Sequence, residues 1–206
     1  MWVRVPLPAP FKGDNKLIMP WLIVVLGYLL GSIPTALIAG RIFKKVDIRQ
    51  VGDGNMGAAN AFRQLGAKIG VAVGIIDAGK GALAILIAQL ANLSQVTVLL
   101  AGAAAVIGHN WPIFLRFRGG RGESTTIGVL LTTITQPMLI LAAPTILALI
   151  IFRNVIIASA VLFVPLPLVC WGLGVPGMLI AYGIALPCLV GFTHFLRTRQ
   201  TITPPA

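Results

Sequence analysis

The sequence predicts an all-α, polytopic membrane protein with about seven transmembrane or partly spanning helices, its N-terminus outside and its C-terminus inside. Three observations carry this. Hydrophobic residues make up 57% of the 206 and charged residues 10%, whereas about a quarter of a soluble domain is charged. The apolar residues fall in long runs without period-two alternation, which favours helices over a barrel as the structure that crosses the bilayer. The charges also segregate. With residues 44–63 placed in the cytoplasm, that side receives Arg41, Lys44, Lys45, Arg49, Arg63, Lys68, Arg116, Arg118, Arg121, Arg153, Arg197 and Arg199, while the opposite loops (91–95, near 136, and 172–176) contain no charge. Such asymmetry is the positive-inside pattern.

Residues 1–18 are proline-rich and read as a disordered tail, or as an over-long start ahead of Met19; residues 19–202 read as a single integral membrane domain. The first span runs from about Leu17 to Phe43, with Gly27 and Gly31 at a small-xxx-small spacing that permits close helix contact. A polar, basic stretch follows. The second span covers about Gly66 to Leu90 and carries Gly66, Gly70 and Gly74 on one stripe; a third runs from about Ser94 to Gly108. Residues 125–152 are too long for one helix with Pro137 and Pro144 inside, so a break is expected near Gln136-Pro137. Two further helices, about Val155–Gly172 and Gly177–Leu196, flank the turn GLGVPG.

The net charge of +11 does not point to nucleic acid, because the basic residues sit beside apolar spans. Cys170 and Cys188 lie inside apolar segments and read as small hydrophobes. No cluster of His, Cys and carboxylates has metal-ligand spacing, so neither a metal nor another cofactor is expected.

Two segments carry chemistry. In GHNWPIFLRFRGGRG (108–122), Gly119, Gly120 and Gly122 surround Arg121, with Arg116 and Arg118 just before. Flexible backbone can aim N–H groups at one point to form an anion nest, and arginine adds a planar fork matched to phosphate. A bland reading, a basic turn resting on lipid headgroups, stands beside it. The second segment, Gly52 to Arg63, belongs on the same side of the membrane. It spells GxGxxG from Gly52 to Gly57 with Asp77 twenty residues on, but a dinucleotide site needs a strand before it, and here a membrane helix stands there. Gly74 to Lys80 likewise spells GxxxxGK, yet Gly81 follows where a magnesium-binding hydroxyl is needed. Asp77 and Lys80 read better as an i, i+3 ion pair within a span. By position alone His109 is a structural hydrogen bonder and His194 an interface anchor. Together the segments suggest a phosphate pocket beside an apolar cleft.

GSIPTALIAG (31–40), VDIRQVGDGNMGAANAFRQLG (46–66), DAGKG (77–81) and GHNWPIFLRFRGGRG (108–122) resemble the bacterial acyl-phosphate:glycerol-3-phosphate acyltransferases, the PlsY family, over about residues 20–202. The resemblance implies a seven-helix enzyme of the bacterial inner membrane that moves a fatty acyl group from acyl phosphate to glycerol 3-phosphate, giving lysophosphatidate. Acyl phosphate, glycerol 3-phosphate and membrane lipids are the partners it implies. It maps Gly52, Gly54, Asn55, Gly57, Asn60, Gly119, Gly120, Arg121 and Gly122 to phosphate binding, Arg63 and His109 to catalysis, and Asp53 to the position of the family's essential serine. Lys80 and Arg116 are further candidates. Other departures are Ala59 for threonine, Arg121 for lysine, Glu123 as an added charge, and Thr198 and Thr201 for histidine and asparagine. A carboxylate about 4 Å from a phosphate charge costs on the order of 4 kcal/mol at an effective dielectric near 20, unless it turns away or pairs with arginine. Asp53 is therefore expected to weaken substrate binding, and Glu123 to pair with Arg121. The alternatives are a relative that binds a phospholipid or phosphate metabolite without transferring acyl groups, and a small transporter. A transporter would line a path with polar residues, and away from their cytoplasmic ends the spans lack charge apart from Asp77 and Lys80.

Overall fold

A computed structural model describes residues 18–202, with side chains from Met19 to Arg197. The tail expected over residues 1–18 therefore lies outside the described residues except for Ile18, as do the side chains of Thr198 and Thr201. Ten α-helices follow one another among the described residues, and no strand occurs: α1 Ile18–Gly31, α2 Thr35–Ala39, α3 Ala58–Leu65, α4 Ala67–Leu90, α5 Gln95–Asn110, α6 Glu123–Thr133, α7 Thr135–Phe152, α8 Val155–Phe163, α9 Leu166–Gly172 and α10 Gly177–Ile202.

Among the described residues, six helical stretches are long and apolar enough to cross a membrane: Met19–Lys44, Ala67–Leu90, Gln95–Leu115, Thr135–Phe152, Val155–Gly172 and Gly177–Arg197. The seventh expected helix is α6. Its 11 residues rise roughly 16 Å, about half of the hydrocarbon core. The expected break near Gln136 falls at Ile134, whose φ of −132° separates α6 from α7. Pro137 then occupies the first turn of α7, where its missing donor costs nothing.

The outer surface is apolar. Ile75, Ile150, Val164 and Trp171 are each at least 66% exposed, which suits a lipid solvent and would be a liability in water. Inside, Ile85, Val106, Val129, Leu130 and Leu166 form the centre of the main core. Small residues let the helices that matter approach closely. Gly27 and Gly31 of α1 lie against the Ala101 and Ala105 carbonyls of α5, as their spacing predicts. On α4 the expected stripe is only partly used. Gly70 packs on the Phe62 backbone and Gly74 near Ala58, but Gly66, at φ +100°, makes the sharp junction between α3 and α4.

The crossing of α4 and α6 sets the site's floor. Gly81 faces the Thr125 carbonyl and Gly128 faces the Ala78 carbonyl, so a methyl group at either would collide with backbone. Gly128→Val is expected to lower stability by about 3 kcal/mol, seen as a lower melting temperature in detergent; an unchanged melt would mean this crossing can open freely.

Candidate active site

The first glycine segment is a loop held by its own polar side chains. Asp47 caps the short turn Ile48–Gln50 by accepting from Arg49 N, and pairs with the Arg49 guanidinium at 2.6 Å. Those hydrogen bonds hold its pKa at about 2 against the opposing effect of burial. Gly52 and Gly54 adopt φ +63° and +66°, the left-handed region that makes the loop double back. Asn60, in the first turn of α3 and fully buried, fastens the loop. Its Nδ2 donates to the Val51 carbonyl at 3.0 Å and the Asn55 carbonyl at 3.1 Å, and its Oδ1 accepts from Asp53 N. Asp53 Oδ1 in turn accepts from Asn55 N at 3.2 Å.

The second segment folds back onto the end of α5. Gly119 N donates to the Asn110 carbonyl and Gly120 N to the His109 carbonyl. Arg116 and Phe117 both take left-handed φ, and Gly122, at φ +82°, precedes α6. Tyr28 Oη donates to the Trp111 carbonyl at 2.8 Å, and Arg197 to the Asn110 carbonyl at 2.8 Å, so α1 and α10 brace the loop from either side.

The two segments meet. Arg63 from α3 and Arg121 from the second loop both reach Asp53 Oδ2, at 3.1 Å and 3.4 Å. The carboxylate that the sequence marks as troublesome is therefore neutralised by two guanidinium groups, one from each segment. Glu123 corrects another expectation: no ion pair joins it to Arg121 among the described residues, and its carboxylate accepts a hydrogen bond from Ser159 Oγ of α8. Arg121 Nε is buried without a hydrogen-bond partner in the structure, a donor left available to a ligand.

These groups border a cleft of about 1160 Å³. Its polar end holds Asp53, Asn55, Arg63, Arg121 and Ser124, and its walls include Val71, Ile127, Leu149, Ile150 and Val190. The first turn of α6 lies along it, and the leading amides of a helix have no intrahelical acceptor and favour anions. Asp77 and His109 also line the cleft. Asp77 Oδ1 lies 2.8 Å from Thr35 Oγ1, 2.9 Å from Lys80 Nζ and 3.7 Å from His109 Nδ1. Lys80 also donates to the Ile33 carbonyl at 3.0 Å, a second donor beside Thr35 N where Pro34 breaks the first span.

Of the residues singled out from sequence, Asp53, Asn55, Gly57, Arg63, His109, Arg121 and Gly122 line the cleft. Gly52, Gly54 and Asn60 shape the first loop beneath it. Gly119 and Gly120 spend their amides on α5 carbonyls, so these two N–H groups do not form the expected nest. Lys80 is the buried partner of Asp77, as the i, i+3 spacing predicts, and lies outside the cleft lining; Arg116 is exposed and outside it too. Sequence reasoning missed Ser124, Arg153, Asn154 and His194 as lining residues. His194, read from sequence only as an interface anchor, lies on α10 and lines the cleft. Arg153 and Asn154 carry no local signal, because only the packing of α7 and α8 turns their junction toward α4. No group of three or more potential metal ligands occurs among the described residues.

The sequence model of the glycerol-3-phosphate acyltransferase family matches residues 21–203. A Dehalococcoides mccartyi protein named glycerol-3-phosphate acyltransferase 4 is 52% identical over 182 residues, 88% of this chain and 98% of that one. An Exiguobacterium sibiricum glycerol-3-phosphate acyltransferase is 51% identical over 119 residues, 58% of this chain and 56% of that one. Among solved structures, the glycerol 3-phosphate form of PlsY (YgiH), an integral membrane glycerol 3-phosphate acyltransferase, is similar with a TM-score of 0.76 and 31% identity, covering 89% of this chain and 92% of that one. Its lysophosphatidic acid form gives a TM-score of 0.74 at 30% identity, with the same coverage.

Proposed function

This chain belongs to the glycerol-3-phosphate acyltransferase family and is an integral membrane acyltransferase, and from that premise we propose that it takes its acyl group from an acyl phosphate at the cytoplasmic face of a bacterial inner membrane. The acceptor is the 1-hydroxyl of glycerol 3-phosphate, and the product is lysophosphatidate. One observation carries the reading: Arg63 and Arg121 converge on a single anionic oxygen, Asp53 Oδ2, inside a cleft that also presents apolar wall from Val71, Ile127, Leu149, Ile150 and Val190. A doubly charged headgroup and a hydrocarbon chain each find a matching surface there.

The chemistry asks little of the protein. An acyl phosphate is already activated. The hydroxyl oxygen bonds to the acyl carbon, the bond from that carbon to the phosphate oxygen breaks, and the hydroxyl proton departs with the released phosphate. Positioning and charge stabilisation supply the rate. Arg63, Arg121 and the first-turn amides of α6 are our candidates for both tasks. His109 is a positioning residue in this reading, because its Nδ1 faces Asp77 and its Nε2 packs against Gly120.

A second reading, a relative that binds a phosphate-bearing ligand without transferring acyl groups, draws on the occupation of both arginines by Asp53. Purified protein in detergent separates the two. It is expected to release phosphate from an acyl phosphate only when glycerol 3-phosphate is present. Release no faster than in a protein-free blank would favour the binding protein.

A further inference from the structure

We propose that Asp53 is a tethered competitor for the headgroup site, which loosens the hold on glycerol phosphate so that the acylated product can leave. The inference rests on the acyltransferase reading of the same cleft. Its basis is geometric. Asp53 Oδ2 lies 3.1 Å from Arg63 and 3.4 Å from Arg121, and its side chain remains 33% exposed, so an arriving anion can reach and displace it. The rest of the loop is built to return it. Asn60 holds Asp53 N, and Asn55 N holds Asp53 Oδ1, which keeps the carboxylate's second oxygen aimed at the two guanidinium groups.

A phosphate group entering the site exchanges with this carboxylate instead of meeting two bare cations. The competitor is covalently attached, so its effective concentration is high at all times. The penalty falls on every ligand that uses the arginines, but it matters differently for each. Glycerol 3-phosphate is small and leaves readily. Lysophosphatidate also carries its chain against Val71, Ile127, Leu149, Ile150 and Val190, and each buried methylene tightens binding by roughly fourfold. Without a competitor, headgroup and chain together would hold the product long after the reaction. Asp53 retakes the arginines whenever the phosphate lifts, so release proceeds by exchange and neither cation is left unpaired.

The test compares full-length wild type with Asp53→Asn and Asp53→Ser in detergent. The asparagine variant keeps an Oδ1 acceptor for Asn55 N, so the loop retains its turn if serine disturbs it. Calorimetric titration with glycerol 3-phosphate is expected to show at least about tenfold tighter binding in both variants, a moderate value because the carboxylate is partly solvated. Lysophosphatidate is expected to inhibit both variants at about tenfold lower concentration, and kcat and KM for glycerol 3-phosphate are both expected to fall; an unchanged or higher kcat overturns the release role. Affinity within twofold of wild type, or weaker, overturns the proposal. If wild type transfers no acyl group yet the variants bind glycerol 3-phosphate more tightly, the acyltransferase reading fails and takes the product-release role with it, while competition for the two arginines stands. If wild type transfers and binding does not tighten, only the competitor fails.

Discussion

Arg121→Ala is expected to lower kcat/KM for glycerol 3-phosphate by at least about 100-fold, roughly 2.7 kcal/mol, with most of the loss in KM. Arg121 pairs with Asp53 at 3.4 Å and carries a buried Nε without a protein partner, so it keeps donor capacity for a ligand. It stands just before α6, whose first turn lines the same cleft. Removing it takes away one of the two cations and leaves Asp53 paired with Arg63 alone. Arg63→Ala is expected to cost less, because that side chain is half exposed and its interactions are screened. Arg121→Lys restores a point charge without the planar fork and is expected to recover part of the activity. Steady-state kinetics with detergent-purified protein, alongside a melting curve to show that the variant is folded, decides the matter. An Arg121→Ala enzyme with wild-type KM would remove the headgroup from this part of the cleft.

Asp77→Ala is expected to destabilise the protein by about 3–5 kcal/mol, the cost of leaving one partner of a buried ion pair behind. Lys80 is 6% exposed at its side chain and lies 2.9 Å from Asp77, with Thr35 at 2.8 Å from the same carboxylate oxygen. Once Asp77 is gone, the ammonium retains only the Ile33 carbonyl. The double variant Asp77→Leu with Lys80→Met removes both charges and fills similar volume, so it is expected to melt above the single Asp77→Ala variant, though below wild type because the Ile33 carbonyl keeps only Thr35 N of its two donors and Thr35 Oγ1 loses its acceptor. Thermal melting in one detergent compares the three. If Asp77→Ala melts with wild type, the pair is not a structural tie and its place beside His109 calls for another explanation.

The two variants separate what the primary structure reveals from what it hides. Asp77 and Lys80 were legible as a pair, since three residues along a helix in an apolar run leave two opposite charges little choice but each other. The partnering of Lys80 with Ile33 was not, because it depends on where α4 meets the break at Pro34. The two glycine segments were legible as neighbours on one face, since alternating spans and lysine–arginine asymmetry fix sides of the membrane without reference to any contact. The contact itself was not. The nest expected at Gly119 and Gly120 is used up by α5 carbonyls, and nothing in the local sequence records that the chain folds back there.

The sequence alone determined the helical class, the spans, the break before Pro137 and the shared side of the two basic segments, because hydropathy, proline and charge act over a few residues against a solvent that is the same everywhere along the span. Only the tertiary structure decided which anion the arginines hold, that Glu123 turns to Ser159, and that Arg153 and His194 reach the cleft. Those outcomes depend on distances between helices far apart in the chain, and such distances are set by side-chain packing at the crossings of α4, α6 and α8, which no local pattern encodes.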